Sequence, residues 1–192
     1  LLKEVCLGVL LGVLLSMPFW MFESVGALLD NRRGALAGGQ LNPSLGPDAT
    51  PVGHLFKQVV IFLLIATLGL GVLTQVIWDS YLIWPATDWL PVVAVNGFSV
   101  FVGLLGETFT HMMLYAAPFI AVLLLLEFGF ALLGLYSPQL QVSTLAMPAK
   151  SLAGLAFLLL YFPLLQDLIV GRMGLLGDLK HALGLMFRGV NQ

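Results

Sequence analysis

The amino-acid sequence predicts an all-α membrane protein built from four to five hydrophobic, kinked helices. Two observations carry that prediction. The chain is 59% hydrophobic and only 9% charged, with a mean hydropathy of +1.01, far more apolar than a domain whose whole surface faces water. Its apolar residues also gather in continuous runs of helix length, whereas a membrane β-barrel would alternate in polarity within segments of about ten residues.

The first run covers residues 5–29 and the second 55–78. The third, 90–105, is short enough to be re-entrant or deeply buried, because a helix needs about 20 apolar residues to cross a ~30 Å hydrocarbon core. The fourth and fifth cover 109–136 and 145–165. Pro18, Pro118, Pro148 and Pro163 fall inside or at the ends of these runs, where each removes a backbone donor and kinks a helix. Small-residue steps at Gly8 and Gly12, Gly69 and Gly71, and Gly129 and Gly134 would let helices approach closely.

Between the first two runs, residues 30–53 are rich in Gly, Pro, Asn and Asp and have no helical period. A polar connection of this length is either a linker or a functional segment. Residues 79–91 form a second break, where Tyr81, Trp84 and Trp89 beside Pro85 and Pro91 suit an interfacial aromatic belt. After the last run, residues 168–187 mix apolar groups with Arg172, Asp178, Lys180 and His181, so a partly amphipathic surface helix is expected. Its glycines at 171, 174, 177 and 184 predict a break within it. The layout is therefore a hydrophobic helix over 1–29, a polar loop over 30–54, a hydrophobic bundle over 55–166 and an amphipathic tail over 167–192.

Charge excludes several partners. A net charge of −2 with no long basic run gives no footprint for nucleic acid and no polybasic lipid clamp. The single cysteine, Cys6, cannot form an intramolecular disulfide and is expected to be a buried, inert thiol. His54, His111 and His181 have no metal-ligand spacing, and no nucleophile motif or phosphate-binding glycine loop is present. No catalytic residue, metal or cofactor is expected. The excess of Arg32, Arg33, Lys57, Arg172, Lys180 and Arg188 over Lys3 and Lys150 would place the arginine loop and the tail on the cytoplasmic side if five helices cross in turn.

Ionisable groups inside apolar runs are costly and so become candidates for function. Glu23, Glu107, Glu127 and Asp167 qualify. Glu127 lies in the middle of FIAVLLLLEFGFALLG, where it must be protonated, paired or facing a wet cavity. A proton relay, an inter-subunit hydrogen bond or salt bridge, and an interfacial location all satisfy that requirement. Glu107, beside Thr108, Thr110 and His111, reads as a helix start near an interface, because a carboxylate favours a helix N-terminus. Glu23, Glu107, Glu127 and Lys150 are the candidate buried polar contacts.

Three blocks carry a family resemblance: LLDNRRGALAGGQLNPSLGPDATPVGHLF at 28–56, DSYLIWP at 79–85, and AAPFIAVLLLLEFGFALLGLYSPQLQVSTLAMPAK at 116–150. Together they resemble the SctT family of injectisome export-apparatus proteins, whose flagellar counterpart is FliR. The D-N-x-R-G core of the first block points to the injectisome branch. Members of the family carry further hydrophobic residues upstream of what stands here as Leu1, so an N-terminal segment is expected to precede it.

The resemblance implies an SctR-type unit fused to an SctS-type unit, packed in a helical export-gate assembly in the bacterial inner membrane. It implies SctR-like and SctS-like partners, an SctU-like switch protein, an inner-rod protein, membrane lipid, and unfolded secreted proteins as the cargo. It also implies that the loop after the first helix projects into the pore and helps close it, which nominates Asp30, Asn31, Arg32, Arg33, Gly34, Gln40, Asn42 and Pro43. The competing reading is a small secondary transporter or channel that uses Glu107 and Glu127 as coupling groups.

Overall fold

A computed structural model describes residues 2–34, 50–83, 94, 96–136, 142–177 and 179–187. Six helices follow one another: α1 (Leu2–Arg33), α2 (Pro51–Thr67), α3 (Gly71–Ile83), α4 (Gly97–Tyr136), α5 (Val142–Gly177) and α6 (Leu179–Met186). Three of them, α1, α4 and α5, are long and apolar enough to cross a membrane, and the bent pair α2 and α3 makes up to four spans. The protein is a multi-pass, all-α membrane protein.

The boundaries of α1 and α2 have local causes. Glu4 in the first turn of α1 and Arg32 and Arg33 in its last complement the helix dipole. Gly34, at a φ of 85°, then ends the helix in a left-handed conformation that only glycine adopts without strain. At α2, Pro51 occupies the first helical position, where its missing N–H is not needed, and His54 N–H donates to the Thr50 carbonyl at 2.9 Å. The Leu64 carbonyl accepts from both Leu68 and Gly69 where α2 ends, and α3 leaves at 82°.

These boundaries differ from the sequence reading in four places, the first being that the last apolar run continues to Gly177 as α5 and takes in the start of the expected amphipathic helix. The helix starting near the N-terminus runs through Asp30, Asn31, Arg32 and Arg33 instead of ending at residue 29. The run at 55–78 is broken at 68–70. Glu107 is not a helix start, because the third and fourth runs join in the single 40-residue α4. The helix passes through this polar patch because its polar groups are satisfied: Thr108 and Thr110 hydroxyls donate back to the carbonyls of Leu104 and Gly106, each at 2.8 Å, and Glu107 is paired with Arg172.

The chain divides into two compact units. The first comprises 1–21, 59–110 and 167–192. Its core holds Leu7, Leu11, Leu14 and Met17 of α1 with Val76, Ile169, Met173 and Leu183, and α3 packs on α6. Cys6 is exposed in this unit, not buried. The Tyr81 hydroxyl lies 3.5 Å from Glu4 Oε2, while Trp84, Pro85, Trp89 and Pro91 lie outside the described residues.

The second unit comprises 22–58 and 111–166. Phe22 stacks on Tyr115 at 5.8 Å, and Phe119 meets the edges of Phe157 and Tyr161 at 5.4 and 4.9 Å. Gly154 of α5 lets Leu29 and Leu123 come close to the helix backbone. Replacing Phe119, which is 1% exposed, by Ala should cost about 3–5 kcal/mol of stability in detergent. Leu160→Ala, at a position 81% exposed, should shift the unfolding midpoint little.

Candidate functional site

The nominated residues at the end of α1 are assembled around one carboxylate. Asp30 has no exposed surface. Its Oδ1 accepts from Arg33 Nε at 2.9 Å and from the same guanidinium's Nη2, and its Oδ2 accepts from the Val52 backbone N–H at 2.8 Å. Both oxygens are thus used, one by the last turn of α1 and the other by the first turn of α2.

The chemistry suits the position. A helix leaves its first N–H groups without internal partners and carries partial positive charge there, so an Asp reaching across from another helix both satisfies a donor and meets a favourable field. The Arg33 fork closes around the other oxygen from three residues along the same helix.

Beside this staple the two helices touch backbone to backbone. A Cβ on Gly26 would stand 2.7 Å from the Cα and N of Gly53 and from the Val52 carbonyl oxygen. A Cβ on Gly53 would stand 2.9 Å from the Glu23 carbonyl oxygen. The close approach is therefore made by Gly26 and Gly53. The steps expected to mediate it, Gly8, Gly12, Gly71 and Gly129, have nothing within 4 Å of a Cβ position, and Gly69 has only the Gly71 nitrogen at 4.0 Å.

A third tie lies one turn earlier on α1. Glu23 Oε2 pairs with Lys57 Nζ at 3.0 Å, and its Oε1 lies 3.7 Å from His54 Nδ1. Asn31 and Arg32 are exposed, and the Asn31 carbonyl accepts from Gly34 N–H at 3.2 Å. A Cβ on Gly34 would meet the Met147 methyl at 3.1 Å, which places the first turns of α5 against the end of α1. Gln40, Asn42 and Pro43 lie outside the described residues.

Two further carboxylates in apolar helices, Glu127 and Glu107, are paired with cations. Within the second unit Glu127 meets Lys150 at 3.0 Å, and within the first Glu107 meets Arg172 at 3.0 Å. In this chain Glu107 and Glu127 are half exposed, while their partners Arg172 and Lys150 are mostly buried. Asp167 is exposed. Among the described residues no group of three or more His, Cys, Asp or Glu could hold a metal ion.

Residues 1–176 match the family described as bacterial export proteins, family 1. The chain belongs to that family. It is 34% identical over 159 residues to Yop proteins translocation protein T of Yersinia pestis, covering 83% of this chain and 61% of that protein. It is 30% identical over 168 residues to the surface presentation of antigens protein SpaR of Salmonella typhimurium, covering 86% and 62%. The flagellar biosynthetic protein FliR of Pectobacterium carotovorum is 23% identical over 165 residues, covering 86% and 62%. This bacterial export protein spans about three-fifths of the length of these relatives. The resemblance to the SctT family and its counterpart FliR is thus shown.

Sequence reasoning named Asp30 and Arg33 but missed Gly26, Gly53 and Val52. Gly26 and Val52 act through segments more than twenty residues away, and Gly53 is crowded both by the distant Glu23 carbonyl and by the Thr50 hydroxyl of its own turn. Asp30→Ala should cost about 3–5 kcal/mol, because it leaves a mostly buried guanidinium and a backbone N–H unpaired. Asp30→Ala combined with Arg33→Ala should cost clearly less than the two single losses added, read as a double-mutant cycle of unfolding in detergent. Arg32→Ala should be nearly neutral in the same assay, since that side chain is exposed.

Proposed function

We propose that this protein is a subunit of the type III secretion export gate, in the bacterial inner membrane, where it forms part of the pore for unfolded secreted proteins and helps to close it. Its partners on this reading are SctR-like and SctS-like subunits, an SctU-like switch protein and an inner-rod protein, and its own helices correspond to an SctR-type unit fused to an SctS-type unit. The protein performs no chemistry of its own, and energy comes from other components of the apparatus.

The observation that carries the gate role is the Asp30 staple. A polar segment inserted between two apolar helices leaves and returns at one point, where a fully buried carboxylate holds both of its ends. A segment anchored in this way can act as a closure without loosening the helices that support it. Family membership supports the assignment to secretion.

The transporter reading draws less support. Glu107 and Glu127, its coupling groups, each have a cation 3.0 Å away in the same chain, and such a pair favours a structural role over proton exchange.

Deleting residues 35–46 should leave the assembled complex able to form yet make it leak small solutes in the resting state. Uptake of a membrane-impermeant dye by cells carrying the deletion measures this. An intact complex with unchanged leakage would count against the closing role.

A further inference from the structure

Three ties join the C-terminal part of α1 to the first two turns of α2. They are the Glu23 contacts to Lys57 and His54, the backbone contact of Gly26 with Gly53, and the Asp30 bond to Val52 N–H. Positions 23, 26 and 30 recur at helical spacing, so the ties follow one face of α1. They differ in kind, and each resists a different motion.

The glycine contact opposes sliding. With backbone against backbone there is no layer of side chains to readjust, and tightly packed contacts move between discrete arrangements and do not deform continuously. The Asp30 bond opposes opening at the end of α1, because withdrawing the carboxylate from Val52 would expose an unmet donor at a buried position. Glu23 with Lys57 opposes rotation at the partly open edge, where both side chains retain some exposure.

We infer that residues 22–34 of α1 and 50–58 of α2 work as one rigid unit in the functioning exporter, with Asp30 as the positioning residue that holds them in register. Passage of cargo then proceeds without relative motion of these two segments. The inference rests on the export-gate reading and adds a mechanical statement to it. Deformation during transport belongs to other elements, and this junction is the fixed support against which they move.

The test uses the full chain in its assembled complex. Cys6 is the single cysteine of this sequence, so Glu23→Cys with Lys57→Cys is made on a Cys6→Ser background and bridged by a short bismaleimide, with the Cys6→Ser complex given the same reagent as the control for other thiols. Secretion by the bridged complex should stay within about two-fold of the same variant left unbridged. A loss of about ten-fold or more with the complex intact would overturn the rigid unit.

Where the bridge does not form, exchange of charge gives a second reading. Glu23→Lys alone should lower secretion at least about five-fold, and adding Lys57→Glu should restore it to within about two-fold. Absence of recovery in complexes that assemble normally would overturn the inference. Failure of the underlying reading looks different: the chain would then be missing from the secreting complex altogether.

Discussion

One buried carboxylate organises the part of the chain on which the functional argument rests. In a protein this apolar, a charged carboxylate without exposed surface persists only when both of its oxygens find donors. Asp30 meets that condition by drawing on two helices at once, Arg33 from its own and Val52 from the next. The rest of the junction follows. Gly34 ends α1 directly after the staple, Pro51 and Val52 begin α2 against it, and Gly26 and Gly53 let the two backbones come close enough for the bond to form. A larger residue at either glycine would push α2 away and leave the carboxylate without its second partner.

A second constraint acts on the whole molecule. Leu125, Phe128, Leu135, Leu152, Leu159 and Leu160 in the second unit, and Phe62, Trp78 and Phe98 in the first, present large apolar side chains outward. Apolar surface on this scale is stable only against lipid or another protein. The ion pairs fit the same view. Glu107 with Arg172 and Glu127 with Lys150 neutralise charge locally between α4 and α5, so the helices carry ionisable groups into an apolar setting as matched pairs.

The fold class was legible because it depends on composition and on run length, both of which are properties of the sequence alone. Helix boundaries were less so. Asp30 to Arg33 look like loop residues in a one-dimensional reading, yet they continue α1, with Asp30 and Arg33 paired to each other across one turn and Asp30 also bonded to Val52. Glu107 looked like the start of a helix, yet it sits inside α4 because Arg172, sixty-five residues later, neutralises it. The break at 68–70 has a visible signal in Gly69, which takes a positive φ, but the apolar run around it outweighed that one residue. The cation that Glu127 faces, Lys150, lies twenty-three residues later, beyond the reach of any local pattern. Gly26 and Gly53 gave no signal, because a contact between two unrelated segments has no period.

The most direct measurement of the central claim is purification of a tagged copy of the full chain in mild detergent, followed by mass spectrometry of what remains bound. The account predicts one large complex that contains SctR-like and SctS-like subunits together with this chain. A monodisperse assembly of this chain alone, stable with its apolar faces uncovered by other subunits, would contradict it.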